Sequence, residues 1–314
     1  MKKALFFLLA IFALGFAASG FLVWRSTQGI EPAILEAKYT TAADRFVDVG
    51  GLRVRVREEG PADAPAIVML HGFLVSLESF DAWSEALSSD YRVIRFDLAG
   101  HGLTGPDPEK RYSPVERAAF VGDVMDAIGV GRAVIAGNSL GGLAAWRFAA
   151  ENPERVDALV LVAPGAFPTN GVSDEPVAPP PALIAFLRMA PEAGVKKGLE
   201  AIYSDDSKIT PKRMEAMRDM MRRRGNGQAF VDSLAEFTLS DPTTQLTRLG
   251  TPTLIQWGED DVVIPVEQGE RMAAAMPRSQ LIRYPAVGHV PQEEAPEETV
   301  ADAKAFLDSL GLTN

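Results

Sequence analysis

The 314-residue chain reads as an α/β protein: a mostly parallel sheet covered by helices on both faces. Two observations predict this, and a third places an insertion in it. From Arg45 onward, short apolar β-branched segments alternate with longer stretches of helical pattern. At one hand-over from strand to helix stands Gly137-Asn138-Ser139-Leu140-Gly141-Gly142, which fits G-x-S-x-G. Between about Ala166 and Thr247 the strand signals stop, and helical segments separated by Pro and Gly replace them.

Taken in order, Arg45 to Glu59 alternates polar and apolar residues around Gly50-Gly51, the pattern of a β-hairpin at a sheet edge. Six further strand-like segments follow near 66–70, 91–96, 132–137, 158–163, 252–257 and 280–284, making eight strands in all. Helical patterns cover 80–88, 114–128, 140–151, 267–275 and 296–310. Within the insertion the helical segments are 182–189, 192–202, 211–223 and 228–238. Met214, Met217, Met220 and Met221 fall at nearly helical spacing, as core packing or as an adaptable apolar pocket wall. Arg222-Arg223-Arg224 reads as a solvated face.

A serine hydroxyl is a poor nucleophile unless a tight turn holds it out beside a base. Small residues at Gly137 and Gly141 allow strand and helix to pack closely around such a turn, and the helix N-terminus aims backbone N–H groups at developing negative charge. The chain offers three histidines. His71 ends the run Ala66 to Leu70 and precedes Gly72-Phe73; His101 lies in Asp97-Leu98-Ala99-Gly100-His101-Gly102; His289 lies in Gly288-His289-Val290-Pro291. Acidic candidates follow the strand Pro252 to Trp257 as Gly258-Glu259-Asp260-Asp261.

These four ordered motifs resemble the α/β-hydrolase superfamily over roughly residues 45 to 311. The order Ser, Asp, His along the chain is the one that fold uses. The resemblance implies Ser139 as nucleophile, His289 as general base and Asp261 as the acid that orients it, with Glu259 and Asp260 as competitors. It also implies an oxyanion hole from the backbone N–H groups of Phe73 and Leu140, and structural roles for His71 and His101. The implied architecture is an eight-stranded core from 45–165 and 248–314 with a helical cap at 166–247.

A net charge of −11 argues against a nucleic-acid partner. The absence of cysteine removes disulfides, thiol nucleophiles and thiolate metal sites, and no metal or cofactor is expected. Lys2 and Lys3 precede an uncharged, mostly apolar run from Ala4 to Trp24, long enough at about 1.5 Å per residue to cross a hydrocarbon core of about 30 Å. It reads as a transmembrane anchor within 1–25, or as a signal peptide cut after Ala17-Ala18-Ser19, with 26–44 as a connector. The flanking charges favour a cytoplasmic N-terminus, with the catalytic domain outside the cytoplasm.

Ser139 at the elbow sets aside the relatives that use aspartate there, the haloalkane dehalogenases and most epoxide hydrolases of this fold. The first expectation is a membrane-anchored carboxylester hydrolase with a lipophilic ester substrate, similar to esterases and monoacylglycerol lipases. The alternative is a carbon–carbon bond hydrolase of the meta-cleavage-product type, whose elbow often reads Gly-Asn-Ser-x-Gly-Gly. Such enzymes usually carry Trp soon after the catalytic His, where this chain has Val290 and Pro291. A haloperoxidase-like side activity is a third option, and a slow-turnover ligand-binding protein on the same fold is the non-enzymatic one.

Overall fold

The computed structural model describes residues 29–313. The Ala4–Trp24 run, and with it the question of anchor or signal peptide, lies outside the described residues. Among the described residues no helix is long and apolar enough to cross a membrane, so the expectation of a single-pass membrane location is withdrawn.

Eight strands form one sheet in the order β1-β2-β4-β3-β5-β6-β7-β8: β1 (Asp44–Val49), β2 (Leu52–Glu59), β3 (Ala66–Leu70), β4 (Arg92–Phe96), β5 (Ala133–Asn138), β6 (Val156–Val162), β7 (Thr253–Gly258) and β8 (Ser279–Tyr284). The β1–β2 hairpin pairs antiparallel at one edge, and β2 joins β4 antiparallel. Every other neighbour is parallel. The central strands are buried on both faces, which is why they read as unbroken apolar runs rather than alternating ones.

Helices over Pro114–Ala127, Leu140–Glu151 and Glu267–Ala275 cover one face, burying Phe120, Val124, Trp146 and Met272 against it. Those over Asp81–Leu87 and Pro296–Ser309 cover the other with Trp83, Leu87, Phe306 and Leu307. The first of these helices starts where the sequence dictates. Ser113 and Glu116 close a capping box, and Pro114 sits at the first helical position, where its missing N–H does no harm.

The segment between β6 and β7 folds into helices Pro181–Met189, Glu192–Ile202, Pro211–Arg222 and Asn226–Glu236. Its own core of Leu187, Val195, Leu199, Met217, Met221 and Phe230 meets Phe73 and Val290 of the sheet domain. Three of the four methionines therefore pack in the insertion, Met217 and Met221 buried and Met214 half-buried against them, and Met220 packs against Leu35 and Leu103.

Two stretches differ from the sequence reading. The supposed connector contains an eight-residue helix, Pro32–Tyr39, started by Pro32 and docked through Leu35. Arg223 is half-buried rather than solvated: residues Ile30 and Arg223 form a parallel bridge, and Arg224 pairs with Glu31. A charged triplet reads as solvent-facing until another stretch of chain is laid across it, and nothing local announces that stretch.

Candidate active site

Ser139 sits between β5 and the helix that begins at Leu140, with φ +52° and ψ −112°. A non-glycine residue rarely adopts this left-handed φ, and it is held by bonds on both sides. Its N–H donates to Val162 O at 3.0 Å, and its carbonyl accepts from Leu143 N at 2.9 Å and Gly165 N at 3.0 Å. The flanking glycines are required by close approach. A Cβ at Gly137 would stand 2.5 Å from Gly141 O, and one at Gly141 would stand 2.2 Å from Leu70 O. The hand-over is thus too tight for a side chain at either flanking glycine.

His289 follows β8, and its Nδ1 lies 2.8 Å from Asp261 Oδ2. An ionised carboxylate can only accept, so Nδ1 donates in this bond and Nε2 is the ring nitrogen not engaged by Asp261. Asp261 is fixed by its other oxygen, which accepts from Val263 N at 2.8 Å and Ile264 N at 2.9 Å. The neighbouring acids have different partners: Asp260 accepts from the Ser204 hydroxyl, and Glu259 pairs with Arg283.

Asn138 joins the two halves of the site. Its amide donates to Val162 O and to His289 O, both at 3.1 Å. The residue before the serine therefore holds the histidine loop, a role the sequence reading did not assign.

Phe73 and Leu140 line one cavity with Ser139. Leu140 is the first residue of its helix, so its N–H has no carbonyl of that helix to serve. Gly72 lies against the elbow, where an added Cβ would stand 2.9 Å from Asn138 Oδ1. His71 braces this loop, with Nε2 accepting from Leu98 N at 3.0 Å and Nδ1 donating to Gly72 O at 2.7 Å. Burial holds its pKa below the usual histidine value. His101 is also fully buried, among the rings of Phe73, Phe230 and His71. Burial first, then the nearby Arg117 cation, hold it well below the usual value. Asp97 explains the rest of that motif. Its carboxylate accepts from Leu77 N at 2.9 Å and Leu103 N at 2.7 Å, and a Cβ at Gly102 would collide with it.

The cavity at Ser139 has a volume of about 180 Å³ and mostly apolar walls, including Val172, Leu234, Phe237, Leu239, Val263 and Ile264. Larger clefts of about 410 and 580 Å³ lie elsewhere on the surface and contain none of these residues. One wall carries Ser233, whose hydroxyl accepts from the buried Arg117 at 2.8 Å. Arg117 also donates to Tyr112 O and Ala99 O, and burial lowers its pKa to about 10, so at neutral pH a cation stands behind the cavity wall. A lone Arg in a helical pattern gives no sign of this. Among the described residues no group of three or more His, Cys, Asp or Glu side chains is placed to hold a metal ion.

Residues 65–296, well over half of the chain, match the family described as alpha/beta hydrolase fold. A 2-hydroxy-6-oxononadienedioate/2-hydroxy-6-oxononatrienedioate hydrolase of Cupriavidus pinatubonensis is 31% identical over 89% of this chain and 99% of its own length. A 2-hydroxy-6-oxo-6-phenylhexa-2,4-dienoate hydrolase of Burkholderia cepacia is 27% identical, covering 82% of this chain and 91% of its own. Among solved structures, a membrane phospholipase A superposes with a TM-score of 0.73 at 26% identity, covering 99% of both chains. A meta-cleavage product hydrolase from Pseudomonas fluorescens superposes with a TM-score of 0.74 at 23% identity, covering 84% of this chain and 97% of its own. The matched span contains Ser139, Asp261 and His289 in order, and the chain belongs to the α/β-hydrolase-fold family.

Proposed function

We propose that this protein is a serine hydrolase in which Ser139, His289 and Asp261 act together on a carbonyl carbon. The observation that carries the reading is the strained Ser139 turn tied through Asn138 to the loop of a histidine already bonded to Asp261. Ser139 Oγ adds to the carbonyl carbon while His289 Nε2 takes its proton, and the Phe73 and Leu140 N–H groups receive the oxyanion. His289 returns the proton to the leaving group, and water then repeats the sequence on the acyl-enzyme.

The curated relatives reverse the ranking made from the sequence. They favour hydrolysis of a carbon–carbon bond next to a ketone, with a vinylogous enolate as leaving group. Ester hydrolysis is the second reading. It is favoured by the apolar cavity, by Val290-Pro291 after the histidine, and by the likeness to the phospholipase along the whole chain. A panel of p-nitrophenyl esters of increasing chain length, run beside a 2-hydroxy-6-oxodienoate, separates the two. Cleavage confined to the dienoate supports the first reading, and cleavage confined to the esters supports the second. Turnover of either by Ser139→Ala at the wild-type rate would sink the mechanism, since loss of the nucleophile should lower kcat by at least about 10³-fold.

A further inference from the structure

Both loops behind the candidate base are held by the same short piece of the helical insertion, residues 202–205. His289 N donates to Ile202 O at 2.7 Å. The Ser204 hydroxyl donates to Asp260 Oδ2 at 2.7 Å, next to Asp261. Glu294 is only 2% exposed, and its carboxylate accepts from Gly288 N at 2.7 Å, Ser204 N at 2.9 Å and Asp205 N at 2.8 Å. One buried carboxylate thus binds the backbone immediately before His289 and the backbone of the insertion at once.

The close approach is built into the sequence. A Cβ on Gly288 would stand 2.6 Å from Ile202 O and 2.8 Å from Ser204 N, so only glycine fits beneath this segment. Behind it Glu293 repeats the arrangement with side chains. It accepts from Tyr203 Oη at 2.8 Å, and it pairs with Arg213 of the insertion helix Pro211–Arg222.

We propose that residues 202–205 are part of the catalytic apparatus rather than cover for it: Ser204 and Glu294 are positioning residues that set the Asp261–His289 pair. This rests on the serine-hydrolase reading above. It follows that the insertion cannot lift at residues 202–205 without disarming the base, so any opening for substrate belongs to another part of it. A carboxylate bound to N–H groups on two segments fixes their spacing, and displacement of a reacting group by about 1 Å lowers a rate by about 100-fold.

The test compares Glu294→Gln, Ser204→Ala and Ser204→Thr with the wild type. Ser204 is exposed, so its variants test the proposal even if Glu294→Gln does not fold. Rates are expressed per site, titrated to completion with a fluorophosphonate, on whichever substrate the panel identifies. Ser204→Ala should lower kcat by about 5-fold and Glu294→Gln by about 30-fold, with KM changed less than about twofold, and Ser204→Thr should restore kcat. In parallel, the low-field proton resonance of His289 Nδ1–H should move or broaden in Ser204→Ala and return in Ser204→Thr. A purely structural role would lower thermal stability alone. Unchanged kcat per site together with an unmoved resonance would overturn the proposal. If the wild type neither labels nor turns over substrate, the functional reading falls, and the resonance still decides the positioning role by the same criterion.

Discussion

Lowering the pH from 7 to 5 should destabilise the native state through two buried side chains, His71 and His101, by at most about 2 kcal/mol each. Both are fully buried and held below the usual histidine pKa, His101 furthest because Arg117 stands beside it. As the pH falls through about 6.5 the unfolded chain takes up a proton at each imidazole while the folded chain does not, so stability is full above that value and declines below it. For one histidine that stays neutral when folded, the loss between pH 7 and 5 is about 1.9 kcal/mol, with a limiting slope of about 1.4 kcal/mol per pH unit. Asp44, Glu58 and Glu59 titrate in a lower window. Burial works to raise them, their arginine partners (at Glu59 the Ser84 hydroxyl first, then Arg95) outweigh it, and the stability they contribute is lost only below about pH 4.5. Urea midpoints measured at half-unit steps from pH 5 to 8 read the slope. His101→Phe isolates one contribution. Its Nε2 has no partner, its neighbours are aromatic rings, and Ala99 O keeps the bond from Arg117. The variant should show a smaller slope than the wild type, since the group displaced furthest is gone. A flat wild-type profile, or an unchanged slope in His101→Phe, would refute the argument that these rings stay neutral in the fold.

Other outcomes follow from the same geometry. Asn138→Ala removes the bonds to Val162 O and His289 O and should lower kcat by about 10- to 100-fold with circular dichroism unchanged, measured on the active substrate. Gly141→Ala places a methyl 2.2 Å from Leu70 O and 2.6 Å from His71 O; it should lower the urea midpoint by the equivalent of about 3 kcal/mol or prevent folding, as read by denaturation. Arg213→Met leaves the half-buried Glu293 without its cation and should destabilise by about 1.5–3 kcal/mol, whereas the joint change with Glu293→Leu should recover part of that in a double-mutant cycle.

The sheet was legible in the sequence because its central strands are buried on both faces, so Ala66–Leu70 and Ala158–Val162 show as apolar runs with clear ends. The serine turn was legible because close backbone approach demands glycine at fixed spacing. The candidate acid was narrowed to Asp261 only by the resemblance, since Glu259, Asp260 and Asp261 are locally equivalent and differ in their distant partners, Arg283, Ser204 and His289. Hydrogen bonds between segments far apart in sequence leave no local pattern, so Asn138, Arg117 and Glu294 went unassigned. The helix Pro32–Tyr39 was missed for a related reason: only Leu35 is buried, and one apolar anchor makes no periodic stripe.

That helix has a consequence for the order in which the chain assembles. Lys38 pairs with Glu215 and Asp219, at separations of 177 and 181 residues, and Glu31 pairs with Arg224 across 193. None of these contacts can form until the second half of the insertion has been made and folded. The contacts of the first described segment with the insertion are therefore among the last to form. A polypeptide released too early, ending before about residue 215, would keep the bonds from Arg53, Arg55 and Arg57 to this stretch but none of those to Glu215, Asp219 and Arg224.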